Sequence, residues 1–301
     1  MTKICSVSGG LLRSRYNDGD YQAFFEAVKD CYEGIELYTG QFTNAESEGL
    51  MAIAEDLGLE VVSVHPDSLT ELHRTENGSK ELVTEVNEYT CRYENEKRTK
   101  TRDVDNMTFH PPQSEEPLTD ADWDVVVNNL SKAEEKLSKY SNGGVVSLEN
   151  CAEFEPRYII SCLGDVQALE RAAEDQGETV NMTLDLGHAP GHTYEDMAEL
   201  VYESENLMLS NLHVHDKILE DKTLLSDMRS DYGFPDGKEI GTTDWEGEVD
   251  HLPIGQGEVD FDAVSKFVEG DDLMTLELHP SWAERPRAVR ESAENLDRLI
   301  H

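Results

Sequence analysis

Six short apolar runs in this 301-residue chain end on side chains that can bind a metal ion: His65, His110, Glu149, Asp185, His213 and Glu277. Two residues before each stands a small polar one: Ser63, Thr108, Ser147, Thr183, Asn211 and Thr275. Strand alternation puts positions i and i−2 on one face, so each candidate ligand stands above a small polar residue. The intervening Val64, Phe109, Leu148, Leu184, Leu212 and Leu276 turn the other way. One such strand end is explained as well by a capped turn or a core histidine; six in one register point to a shared centre. Glu149, Asp185, Glu277 and His213 together give three carboxylates and one imidazole, a mixture suited to Mn2+, Mg2+ or Co2+. His65, His110, His188 and His251 add nitrogen donors that shift the preference toward Zn2+.

The densest stretch is Val180–His192, VNMTLDLGHAPGH. Met182 and Leu184 alternate with polar neighbours, and the run breaks at Gly187. An acid at the end of an apolar strand is costly to bury without a partner, and a divalent cation is the natural one.

Eight strands position these groups: Lys3–Val7, Gly34–Thr39, Leu59–His65, Asn106–His110, Val145–Asn150, Val180–Asp185, Leu207–His213 and Leu273–His279. Helix-period segments run over Tyr21–Cys31, Ala45–Leu57, Lys80–Lys97, Asp122–Tyr140, Gly164–Gln176, His192–Glu205, Asp260–Val268 and Glu284–Ile300. Strands alternating with helices predict an α/β fold with a parallel sheet, and eight closes a (β/α)8 barrel. No GxGxxG follows the first strand, which removes support for an open doubly wound sheet. We therefore expect one barrel domain over 1–301, with a lid insertion at 215–260, since long connections of this kind are functional covers or disordered. Pro66–Ser79 is a second long connection. In such a barrel, reactive groups gather where the strands end.

The formal net charge is −39, with acidic residues along the whole length. At low salt such a surface repels itself, which predicts a chain adapted to concentrated salt. It also opposes binding to DNA, which needs Lys and Arg on phosphates. The one dense basic cluster is Arg92, Lys97, Arg98, Lys100 and Arg102, read first as a solvated helix end; Arg13 and Arg15 are lone cations. Five cysteines without a CxxC pair, and no apolar stretch near the length of a membrane span, predict a reduced, cytoplasmic protein without a membrane partner. A homo-oligomer is compatible with the sequence.

The motifs GIELYTG, VVSLENC, TLDLGHAPGH, NLHVHDK, HLPIGQGEVDF and TLELHP, in this order, resemble the xylose isomerase-like TIM-barrel superfamily, above all its sugar phosphate isomerase/epimerase group. The resemblance implies that Glu149, Asp185, His213 and Glu277 hold a divalent metal, Mn2+ first, with Glu149 and Glu277 exchanging protons on a small sugar. The first His and the Asp of HVHD match H-x-x-D, so His213 rather than His215 is the implied ligand. Asp216 then lies behind the ligands and His188 touches substrate. Endonuclease IV, in the same superfamily, is a zinc enzyme that cuts abasic DNA. This chain matches much of its ligand set at His65, His110, Glu149, Asp185, His188, His213, His251 and Glu277, but carries Val249 where an Asp ligand is required, with Asp250 one step out of register.

Two enzymatic readings follow. One is an isomerase or epimerase that moves a proton through an enediolate held by a divalent ion; the other is a metal-dependent phosphodiesterase. A binding protein on a decayed barrel is opposed by the intact ligand set. His65, His110, His188, His251 and Trp282 are the expected substrate contacts, Trp282 by packing on a sugar face. Glu36, on the second strand, lines the site or makes a surface pairing.

Overall fold

A computed structural model describes residues 4–8, 21–38, 44–66, 69, 72–73, 80, 84, 106–137, 144–152, 157–189, 191, 193–219, 221, 223–243, 248–268 and 272–300. Its strands are β1 Ile4–Ser8, β2 Gly34–Tyr38, β3 Glu60–His65, β4 Asn106–Phe109, β5 Gln113–Ser114, β6 Val145–Glu149, β7 Arg157–Tyr158, β8 Val180–Asp185, β9 Leu207–Val214, β10 Asp216–Ile218, β11 Thr242–Thr243, β12 Val249–Leu252 and β13 Leu273–Leu276. The eight strands expected from the sequence, β1, β2, β3, β4, β6, β8, β9 and β13, pair in parallel in chain order, and β13 returns to β1 to close the barrel. The fold is an α/β TIM barrel.

Helices span Tyr21–Val28, Asn44–Asp56, Asp120–Leu137, Leu163–Gln176, Tyr194–Glu203, Thr223–Tyr232, Phe261–Ser265 and Pro286–Ile300. Local chemistry sets their starts. Thr119 and Asp122 cap the Asp120 helix reciprocally: the Thr119 N–H donates to Asp122 Oδ2 (2.9 Å), and the Asp122 N–H donates to Thr119 Oγ1 (3.4 Å). Asp260 accepts the Ala263 N–H at the start of the Phe261 helix (3.2 Å). No helix among the described residues is long and apolar enough to cross a membrane. Apart from Lys80 and Thr84, which are helical, the expected Lys80–Lys97 helix lies outside the described residues, as do the 92–102 basic cluster, Arg13, Arg15, His192 and Trp245.

The expected register holds inside the barrel. Val64, Phe109, Leu148, Leu184, Leu212 and Leu276 are buried in the apolar layer. The small polar residues face inward and satisfy one another, as buried hydroxyls must. Asn106 Nδ2 donates to Ser63 Oγ (3.3 Å) and Thr108 Oγ1 (2.8 Å), and Ser147 Oγ donates to Asn106 Oδ1 (2.9 Å). Thr183 Oγ1 lies 2.8 Å from Ser147 Oγ, and Thr275 Oγ1 donates to Asn211 Oδ1 (3.1 Å). This polar layer is the floor on which the strand-end groups stand.

Residues 215–260 contain more structure than a loop. β10, β12 and β11 form an antiparallel sheet, and the Thr223–Tyr232 helix lies between β10 and β11 in the chain. Ile218, Met228, Ile240 and Leu252 are buried there, which is what keeps the layer folded. Asp216 pins it. Its carboxylate accepts the N–H groups of Lys217 (2.9 Å), Gly255 (2.9 Å), Gly257 (2.7 Å) and Val259 (3.1 Å). A Cβ on Gly257 would stand 2.3 Å from Asp216 Oδ1, so the turn requires glycine. Asp216 therefore holds backbone rather than backing the ligand set.

Candidate metal centre

Each candidate ligand arrives on the end of a barrel strand: Glu149 on β6, Asp185 on β8, His213 on β9 and Glu277 just after β13. One donor atom from each lies within 4.8 Å of the others, and Glu149, Asp185 and His213 are fully buried. His213 Nδ1 is 2.9 Å from Glu277 Oε2 and 3.5 Å from Glu149 Oε1. All three atoms are buried without a hydrogen-bond partner. Buried ligand atoms without hydrogen-bond partners that face one another in this way fit a set able to gather round one cation.

Glu36 strengthens the fit. It is fully buried on β2, and its Oε2 lies 3.1 Å from His213 Nε2 and accepts from Asn211 Nδ2 (3.0 Å). A carboxylate can only accept, so His213 Nε2 carries a proton toward Glu36, and in the neutral ring the Nδ1 lone pair faces the other acids. This is the usual carboxylate–histidine arrangement behind a metal ligand. Glu36 thus lies inside the barrel, beneath the ligands.

A second cluster shares Glu149. Its Oε2 lies 3.0 Å from His65 Nε2 and 3.4 Å from His110 Nε2. His65 Nδ1 is 3.0 Å from the Pro66 carbonyl and must donate to it, so neutral His65 turns a lone pair toward Glu149. Only a proton or a cation makes that contact favourable. His65 stacks on Tyr38 with centroids 4.4 Å apart.

The third cluster is His188, His215 and His251. His215 and His251 stack with centroids 4.3 Å apart and planes 10° from parallel. Imidazole lone pairs lie in the ring plane, so two stacked rings cannot aim at one ion. Together with Val249 in the position of a third-site acid, this argues against a third metal.

The electrostatics are those of acids that need positive charge. Burial alone would raise the Glu149 carboxyl, but the imidazoles of His213 and His110 hold it well below the usual range. Burial opposes protonation of His213, yet Glu36, Glu149 and Glu277 push it well above an ordinary histidine. His188 is likewise desolvated and pushed up to about 10, chiefly by Asp185 and Glu149. Burial dominates at His110 and pulls it down to about 4. Either protons on the imidazoles or a divalent ion can meet the carboxylates' demand.

Above the centre lies a cavity of about 540 Å3, lined by Tyr38, His110, Tyr158, His188, Thr242 and His251 among others. Glu277 reaches it with its side chain 12 % exposed, whereas Glu149 lies deeper and does not border it. Glu239, Gly241, Thr242, Thr243, Asp250 and His251 supply one wall. Of the expected substrate contacts, His110, His188 and His251 border the cavity, and His65 lies below it against Glu149. Trp282 is elsewhere. It is wholly buried, donates its indole N–H to the Ile240 carbonyl (2.7 Å), and packs edge-on to Tyr232 and Phe234. The expectation that it packs on a sugar is corrected: the short 3-10 turn Pro280–Glu284 rolls it into the core. Cys151 borders the cavity with its thiol pushed well up by burial, a poor nucleophile.

A closed parallel barrel with acids and imidazoles gathered where its strands end is the TIM-barrel arrangement, whose reactive groups sit at that end. The chain belongs to the xylose isomerase-like TIM barrel family, whose description matches residues 25–299. No curated protein matches it. It is similar in structure to the probable 3-DHS dehydratase AsbF of Bacillus anthracis (TM-score 0.65, 14 % identity, 98 % of this chain and 99 % of that one). It is also similar to a sugar phosphate isomerase/epimerase of Parabacteroides distasonis (0.61, 16 %, 100 % and 96 %). A family 2 AP endonuclease of Brucella melitensis is a further neighbour (0.55, 15 %, 93 % and 94 %). At these identities the likenesses show the fold alone.

Proposed function

We propose that this chain is a divalent-metal-dependent isomerase or epimerase of a small sugar. The observation that carries the reading is the convergence of unpartnered Glu149 Oε1, His213 Nδ1 and Glu277 Oε2 beneath a cavity of sugar size. Glu149, Asp185, His213 and Glu277 would hold the ion, Mn2+ by the balance of oxygen and nitrogen donors. Such an ion supplies Lewis-acid charge to the two substrate oxygens of an enediolate. Glu277, which reaches the cavity, takes the proton from the carbon beside the carbonyl, and a proton returns to the opposite face from Glu149. Glu149 is the second acid of the pair, working from the deeper side. His110, His188 and His251 offer ring nitrogens to substrate hydroxyls. Among the described residues lining the cavity there is no Lys or Arg, which favours an uncharged sugar over a phosphodiester.

The test is incubation with ketoses in D2O and Mn2+, followed by NMR for deuterium at the carbon next to the carbonyl. Incorporation is expected in the wild type and near-complete loss in Glu277→Gln, with the circular dichroism spectrum kept. Wild-type turnover by Glu277→Gln contradicts the assignment.

A second reading, a zinc phosphodiesterase acting on abasic DNA, is favoured by the His65–His110–Glu149 cluster. Elemental analysis separates the two: one ion per chain supports the isomerase, and two zinc ions with cleavage of an abasic oligonucleotide support the hydrolase.

A further inference from the structure

His215 follows the ligand His213 by two residues and is fully buried. Its Nδ1 accepts the backbone N–H of His251 (2.9 Å), and its Nε2 lies 3.0 Å from Asp185 Oδ1. An N–H can only donate, so Nδ1 keeps its lone pair and the ring proton sits on Nε2, given to Asp185. Both ring nitrogens are committed, which leaves His215 no donor for an ion. The ring fills the space over Gly187, where a Cβ would stand 1.8 Å from His215 Cε1. His251 is the one non-glycine residue among those described with a positive φ, +56°. Such a conformation persists where surrounding structure imposes it. Here two backbone bonds do so: its N–H on His215, and its C=O, which accepts the N–H of His279 (2.9 Å), two residues past Glu277.

We propose that His215 is a positioning residue: it sets the orientation of the Asp185 carboxylate and ties it to β12, so that ion binding and the cavity wall built by Thr242, Thr243, Asp250 and His251 form one cooperative unit. The proposal rests on the reading that Asp185 belongs to a metal centre. It assigns the His188–His215–His251 cluster to support of the centre, not to ligation.

The experiment pairs Mn2+ titration calorimetry with amide hydrogen exchange on the wild type, His215→Leu and His215→Gln. His215→Leu is expected to bind Mn2+ about 10–100-fold more weakly, the range for groups that orient a ligand, with an unchanged circular dichroism spectrum. His215→Gln keeps one donor and one acceptor and is expected to recover most of the affinity. In the wild type, Mn2+ is expected to slow exchange of the β12 amides, and in His215→Leu it does not. Equal Mn2+ affinity in wild type and His215→Leu overturns the proposal. So does wild-type β12 exchange that ignores Mn2+, a measurement that needs no variant to fold. A wild type that binds no divalent ion removes the metal-centre reading and this proposal with it, an outcome distinct from wild-type binding that His215→Leu leaves unchanged.

Discussion

Glu36 and His213 show how one proton decides what a site can do. With Glu36 holding the Nε2 proton, His213 presents Nδ1 to the acids. Glu36→Gln turns that acceptor into a group able to offer a donor and weakens the hold on the ring. Mn2+ affinity is expected to fall about 10–100-fold, with the fold kept, as measured by calorimetry. Asp250 gives a pH dependence. Burial would raise its carboxyl, but His251, 2.5 Å away, holds it down at about 2 against an ordinary 3.8. The folded value is depressed, so the pair's stabilisation is present above the ordinary value and lost as pH falls from about 4 through about 2. Urea midpoints of wild type and Asp250→Asn should converge across that window; a constant gap contradicts the pairing. The convergence of the strand-end side chains was legible because parity alone places them on one face. Glu36 stayed open because a lone acid on a strand reads the same whether it faces the interior or solvent. The role of His215 was hidden because it depends on a contact with Asp185, thirty residues back. Trp282 misled because its place after His279-Pro280 says nothing of the turn that buries it.

The barrel strands carry periodic apolar residues and could be read directly, whereas β5, β7, β10 and β11 are two or three residues long. Strands that short have no period, and their pairing spans long stretches of chain. The order within 215–260 was therefore invisible. Asp216 is what makes the turn at Gly257 cohere. Asp216→Asn sets an NH2 group against backbone N–H donors, and hydrogen bonds to charged groups are worth about 1.5–3 kcal/mol each. A loss of roughly 2–4 kcal/mol is expected from denaturant midpoints, with faster exchange at Gly255, Gly257 and Val259. Unchanged stability would show that the turn holds itself.

The topology of the whole molecule follows from eight strand–helix alternations, which bury one apolar layer between barrel and helices. The surface obeys another rule. A charge of −39 repels itself in the compact state. The thermal midpoint is expected to rise from about 0.1 M to about 1 M KCl, where screening lengths fall from about 10 to about 3 Å. A flat response would remove the link between composition and salt. The closing strand has a consequence for assembly. Glu277 follows β13, which seals the ring against β1, while Glu149, Asp185 and His213 arrive earlier in the chain. During synthesis a growing chain can offer three of the four donors but never the fourth until its last barrel strand has docked. Under the proposed function, loading of an ion would then be the final event in maturation, and a product cut short before Leu273 would leave the ribosome with an incomplete grip on its cargo.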